Sequence, residues 1–339
     1  MKKIQVKSAG GNFELVEEPM REPAARCVRV KVQACGVCHS DSATKDGLFP
    51  GIVYPRSPGH EIMGVIDAVG EGTEPWKAGD RVGIGWHGGH CGRCESCRRG
   101  DFVTCVRLQV PGINYDGGYA EFVLAPFESL ARVPSELTPE EAAPLMCAGV
   151  TTFNALRHSG AGPGDVVAIQ GIGGLGHLGI QFARHMGFHT VALGRGGDKE
   201  KLAKDLGAHL YIDTANDDAA AALQRMGGAR AILATAPSGD GMGPLVSGLA
   251  VRGKLIIVGV PQDQIQLNAF PLVFGGRSIY GSLTGTAIEQ EDTLAFSVLE
   301  NIRPMIETVP LEQAADAYAR MMQGKARFRM VLVTKDVKS

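Results

Sequence analysis

The chain has 339 residues, too many for one compact core and enough for two domains of ordinary size. Its 34 Lys and Arg face 36 Asp and Glu, so no single-signed field marks it for nucleic acid or a membrane surface, and a small molecule is the expected partner. The N-terminal run Met1-Lys2-Lys3-Ile4-Gln5-Val6-Lys7 has no apolar segment, and runs such as 255–258 are far too short to span a bilayer, so a cytoplasmic protein is expected. Eight cysteines in that reducing compartment are expected to bind metal or lie buried rather than form disulfides.

Residues 1 to about 150 run in short alternating segments broken by Gly and Pro, for example 62–69 and 79–84, which predicts many short strands in a partly open barrel. The alternating run 27–32 leads into Ala34-Cys35-Gly36-Val37-Cys38-His39-Ser40-Asp41. Gly36 is expected to break the strand there, leaving Cys38, His39, Ser40 and Asp41 on a loop. From Pro163 the rhythm changes. Residues 166–170 read as a buried strand, Gly171-Ile172-Gly173-Gly174-Leu175-Gly176 as a turn, and 177–186 as an amphipathic helix closed by Gly187. Further strands are expected at 190–194, 209–213, 231–236, 254–259 and 278–283, with helical stretches such as 199–206 and 219–226 between them. Six strands interleaved with helices make a doubly wound parallel sheet. The tail carries helix-like segments at 289–298 and 311–322 and a strand at 329–333, and it is expected to return to the first domain. The domains are therefore 1–150 with 286–339, and 151–285.

Three groups of residues carry chemistry. Cys38, His60 and Cys147 come from separate segments and together would supply the three ligands of a catalytic zinc, although singly Cys147 reads equally as a small core residue and His60 as a turn histidine. Cys91, Cys94, Cys97 and Cys105 stand within fifteen residues, so four thiolates can close a tetrahedral zinc site with no open position. An iron–sulfur cluster is the rival, but the usual bacterial spacing before the last cysteine is three residues, against seven here. The third group is Gly171-x-Gly173-x-x-Gly176 between a strand and a helix, the context in which glycines cradle a pyrophosphate at a helix N-terminus.

With Gly36-Val37-Cys38-His39-Ser40-Asp41, Gly59-His60-Glu61, the Cys91–Cys105 lobe, Cys147-Ala148-Gly149-Val150-Thr151 and residues 171–176 in place, the chain resembles the zinc-dependent medium-chain alcohol dehydrogenases over nearly its whole length. The resemblance implies a GroES-like catalytic barrel beside a Rossmann domain, a homodimer or homotetramer, and two zinc ions. By the same resemblance Cys38, His60 and Cys147 bind the catalytic ion, and Glu61 approaches it when the fourth position is vacated. Asp41 is expected to fix the tautomer of His60. The resemblance also implies Ser40 as the relay hydroxyl, His39 and Arg329 as pyrophosphate contacts, Thr151 against the nicotinamide, and Phe49 and Trp86 as pocket walls. Polyol dehydrogenases share this machinery, and a zinc- and dinucleotide-binding sensor without turnover is the alternative of another class. Many relatives carry a relay histidine five residues beyond the first zinc cysteine, where this chain has Ala43. The strand at 190–194 ends in Gly194-Arg195 rather than in a carboxylate. Gly194 leaves room and Arg195 suits a phosphate, so NADP(H) is expected over NAD(H).

Overall fold

Val28, Val30 and Val32 are each no more than 1 % exposed and alternate with Arg29 and Lys31, so the strand Cys27–Val37 lays an apolar stripe into a core. The buried Arg29 is compensated by Asp67 at 2.6 Å and Glu22 at 3.0 Å. In the structure, a computed structural model that describes residues 1–261 and 263–334, this strand is the centre of a seven-stranded sheet. Ile62–Val69 pairs antiparallel along one edge. The other edge is shared, Phe122–Pro126 taking its first half and Arg329–Val333 its last four residues. The register Met330 to Val37 and Val331 to Gly36 is what sets Arg329 beside the segment that follows the strand.

The strand break expected at Gly36 does not occur, since the ladder runs through it to Val37. A Cβ on Gly36 would lie 1.9 Å from Oε2 of Glu61, so the glycine serves close packing against that carboxylate. A three-residue turn, His39–Asp41, and a short helix, Ser42–Asp46, follow directly.

Chain contacts divide the protein into two units, one of Met1–Val150 with the chain from Thr284 onward, the other Thr151–Leu283. The second unit is a six-stranded, all-parallel sheet in the order Leu210–Asp213, His189–Gly194, Val166–Gln170, Ala229–Ala234, Leu249–Ile257, Ser278–Gly281. That order, which reverses direction beside the Val166–Gln170 strand, is the doubly wound Rossmann arrangement. Strand residues such as Val167, Ala168 and Ile169 are fully buried, as both faces of a parallel sheet require. Two elements lacked a clear periodic signal in the sequence, the helix Ala269–Gly275, which turns Leu272 to the core and Phe270, Val273 and Phe274 outward, and the strand Ile306–Pro310, which pairs parallel with Arg329–Val333. Among the described residues no helix is long and apolar enough to cross a membrane.

Candidate metal and cofactor sites

Among the described residues, two groups of side chains converge closely enough to hold a metal ion: Cys38, His60, Glu61 and Cys147, and Cys91, Cys94, Cys97 and Cys105, with ligand atoms in each group within 4.8 Å of one another. The first group draws on three segments. Cys38 follows the central strand at the start of the His39–Asp41 turn. His60 follows Gly59, whose φ of +104° and whose approach to Tyr119 (a Cβ would lie 2.5 Å from the ring) admit only glycine. Cys147 sits in a π-helical turn, Leu145–Gly149, a local widening that re-aims one side chain.

Asp41 ties the first two segments together. Its Oδ1 lies 3.1 Å from His60 Nδ1, while Oδ2 accepts from the Cys38 amide and the Tyr119 hydroxyl, both at 2.9 Å. The bond at Nδ1 leaves His60 Nε2 buried without a protein partner, and that atom belongs to the group facing the two thiols. A buried nitrogen of this kind is costly unless something completes it, and a metal ion does so. Burial, the largest single influence, would lower the His60 pKa, but the charge and hydrogen bond of Asp41 together with the neighbouring Cys38 sulfur raise the ring well above its usual range. A hydrogen bond from Cys147 holds the Cys38 thiol well below the ordinary value. The pair thus shares a proton that a cation would displace.

Glu61 is fully buried. Burial pushes its carboxyl up to about 8, against the downward pull of Arg329, whose Nη2 donates to Oε1. Arg329, expected at a pyrophosphate, is thus 6 % exposed and engaged with Glu61, with Nε left unpartnered. His39 and Ser40 are exposed next to Cys38. Trp86 and His60 meet edge to face with ring centroids 4.9 Å apart, and Phe49 meets Trp86 at 6.3 Å, so the three rings form a row ending at His60. Ala43 is 8 % exposed in an apolar cluster with Val110 and Ile113, flanked by Trp86 and Leu108, so a base at this position would have to be buried among apolar side chains.

In the lobe, backbone amides point at sulfur. The Cys94 amide donates to Cys91 Sγ at 3.4 Å, and those of Cys91 and Arg107 donate to Cys105 Sγ at 3.4 and 3.3 Å. The amides of Arg93 and Cys94 bring the Cys91 thiol down to about 6, so the local backbone favours thiolate. Backbone amides also lower the Cys94 thiol, whereas burial pushes Cys97 up to about 12; the convergence of the four sulfurs, rather than a shared bias, fits a closed zinc site.

In the second unit the loop glycines divide their duties. Gly171 has φ +91° and abuts Thr235 and Ala236, a Cβ on Gly176 would fall 1.8 Å from the Gly171 carbonyl oxygen, and Gly173 faces open space. Tight turn, close packing and an open approach are what a pyrophosphate cradle at the start of the Gly176–His185 helix requires, with Gly174 and Leu175 completing the loop. Thr151 is buried on the Val150–Arg157 helix. Beyond Gly194 the structure corrects one expectation, that the glycine leaves room. The Tyr211 ring occupies that space, its hydroxyl oxygen 2.4 Å from where a Cβ at 194 would stand. Three residues here gave no sequence signal: Tyr211; Lys199, which donates to the Ile172 carbonyl at 3.1 Å; and Asp213, whose Oδ1 accepts from the Gly196 and Ala215 amides.

The fold and these two sites define a zinc-binding dehydrogenase that uses a nicotinamide dinucleotide. Residues 24–135 match the family model of the alcohol dehydrogenase GroES-like domain, and residues 174–300 that of the zinc-binding dehydrogenase. The chain is 45 % identical to the alcohol dehydrogenase patD of Penicillium expansum over 331 residues, 98 % of this chain and 97 % of that protein. The solved structure of an NAD-dependent alcohol dehydrogenase superposes with a TM-score of 0.91 at 28 % identity, covering 99 % of this chain and 100 % of the other. The NADP(H) complex of CAD from Helicobacter pylori superposes with a TM-score of 0.87 at 28 % identity, covering 99 % of both chains. The chain belongs to the zinc-dependent medium-chain alcohol dehydrogenase family.

Proposed function

We propose that the chain interconverts alcohols and aldehydes or ketones, with two zinc ions and NADP(H). The observation that carries the reading is the convergence of Cys38, Cys147 and the unpartnered Nε2 of His60, with Glu61 tied to Arg329. Three ligands and a withheld carboxylate leave a position for substrate. Zinc held there supplies a Lewis acid that lowers the pKa of an alcohol, and the nicotinamide supplies the hydride acceptor. Cys38 and Cys147 hold the ion as thiolates, and Asp41 keeps the His60 proton on Nδ1 so that Nε2 is free to bind. Ser40 is assigned the hydroxyl through which the alcohol proton departs, and with Ala43 packed among apolar neighbours that proton continues to water. Trp86 and Phe49 wall the organic part of the substrate. A sensor without turnover is disfavoured, because a purely structural site would be closed by a fourth strong ligand. The test is NAD(P)H absorbance with a panel of alcohols, polyols and aldehydes. Zinc-loaded protein that turns over none of them refutes the reading.

The similar solved structures include an NAD-dependent enzyme and an NADP(H) complex, so the choice of cofactor rests on this chain's own residues. No carboxylate can stand at position 194 while Tyr211 fills the space, and the Asp213 oxygens are already occupied, by the Gly196 and Ala215 amides on one side and the Asn216 amide on the other. Arg195 is exposed at the strand end, and Lys199 reaches the glycine loop. A charge-assisted contact of about 1.5–3 kcal/mol corresponds to roughly ten- to hundredfold discrimination. Arg195→Ala is therefore expected to cut kcat/KM for NADPH by about ten- to hundredfold while leaving NADH nearly unchanged. A parent that favours NADH, or an Arg195→Ala variant with an unaltered ratio, refutes the assignment.

We also propose self-association through the second unit. Phe270, Val273 and Phe274 are 64, 73 and 76 % exposed on the Ala269–Gly275 helix, beside the outer strand Ser278–Gly281. An apolar patch next to an open sheet edge suits pairing with a second copy. Val273→Asp with Phe274→Asp is expected to yield monomers in sedimentation velocity, and a parent that sediments as a monomer would contradict the proposal.

A further inference from the structure

We infer that Tyr119 is a positioning residue of the Cys38/His60 site, its hydroxyl orienting Asp41 and, through Asp41, the His60 ring. The inference rests on the metal-binding role proposed for that site. Tyr119 is fully buried, 78 residues from Asp41 in sequence, and its hydroxyl donates to Asp41 Oδ2 at 2.9 Å. The same oxygen accepts from the Cys38 amide, and the other faces His60 Nδ1. The carboxylate is thus held by three partners that lie on three different stretches of chain, and two of those stretches carry candidate ligands.

The backbone around Tyr119 strengthens this arrangement. Gly117 and Gly118 donate to the Ser57 and Gly59 carbonyls at 2.8 and 2.9 Å, and the Tyr119 amide donates to Pro58 at 3.0 Å. The 57–59 stretch is therefore laced to 117–119 just before it delivers His60. The ring lies so close to Gly59 that no Cβ fits between them, which fixes the height of the phenol relative to His60. One side chain thereby holds the segment carrying His60 by its ring and backbone, and the segment carrying Cys38 by its hydroxyl. Without the hydroxyl, Asp41 keeps the Cys38 amide and His60 but gains freedom to rotate, and the aim of Nε2 loosens. Outer partners of metal-binding histidines typically change metal affinity by ten- to hundredfold. Tyr119 acts one bond further out, so the lower end of that range is expected.

The test is Tyr119→Phe, which keeps the ring against Gly59 and removes only the oxygen. In the zinc-loaded enzyme, transfer of each ion to a chromogenic chelator is followed alongside kcat, KM and thermal stability. One ion is expected to leave about tenfold faster, the other, in the Cys91–Cys105 lobe, at the parent rate, with the melting temperature shifted by no more than a few degrees. In a chain already carrying Asp41→Asn, the second change is expected to add little, since both act on one network. Parent-like release of both ions, equal acceleration of both, or full additivity with Asp41→Asn overturns the assignment. A parent with no metal at the Cys38 site overturns the functional reading as well, whereas a parent that holds it and a variant that retains it equally overturns this inference alone.

Discussion

Replacing Cys38 by Ser is expected to lower kcat/KM for alcohol oxidation by at least about 10³-fold while leaving a folded protein, and replacing Cys97 by Ser to do the reverse. The two sites differ in what their ligands support. Cys38 is one of three groups that converge around an unpartnered imidazole nitrogen, on elements already held by Asp41 and by the ladder of the Cys27–Val37 strand. Loss of its thiolate removes the charge stabilisation on which the reaction depends, an effect that commonly reaches 10²–10³ for a single preorganised group and more for a metal ligand. The lobe around Cys97 has only one short helix, Glu95–Arg98, and its own turns. A metal ion held there would supply folding energy. Cys97→Ser is expected to lower the melting temperature by at least about 5 °C and the zinc content from two ions to one. Metal analysis of each variant beside its activity decides the matter, and a fully active parent with a single zinc per chain contradicts the division of labour.

Arg329→Met is expected to destabilise the protein by about 1–2 kcal/mol more at pH 9 than at pH 5.5, because at alkaline pH it leaves a fully buried carboxylate without its cation. The loss depends on pH in a direction that Glu61 determines. Its carboxyl is raised to about 8 by burial despite Arg329, so between its ordinary value near 4.5 and 8 the folded state holds a proton that the unfolded state releases. Stability from this group therefore falls as pH rises through that window. Removing the guanidinium takes away a downward pull and moves the carboxyl higher still. Below about pH 5 parent and variant both carry neutral Glu61 and differ little. Above about pH 8 the parent has an ion pair and the variant must either keep the proton or bury a lone charge, so the difference grows by up to about 1.4 kcal/mol per pH unit. Denaturation of both proteins at pH 5.5 and 9, at matched zinc, measures it. A pH-independent difference together with a raised KM for the cofactor would instead assign Arg329 to the pyrophosphate.

Local patterns account for what could be read from the residues alone. Cysteine spacing at 91–105, three glycines between a strand and a helix, and the change from short alternating segments to alternating strands and helices depend only on neighbours within about twenty residues. The class of fold and the identity of the chemistry were therefore legible. Asp41 was legible as a partner for His60 because it stands three residues beyond Cys38 on the same turn.

What the tertiary structure decided are the meetings of distant segments. Glu61 and Arg329 are 268 residues apart and touch because the last strand pairs with the end of Cys27–Val37. That pairing also turned Gly36 from a strand breaker into a seat for a carboxylate. Tyr119 follows two glycines in an unremarkable turn and carries no pattern of its own, yet its hydroxyl closes the network around Asp41. Tyr211 likewise made Gly194 a filled position rather than an open one. A residue's type states which bonds it can form, but which of them it forms depends on what the pairing of strands brings within 3 Å, and no local sequence pattern encodes those distances.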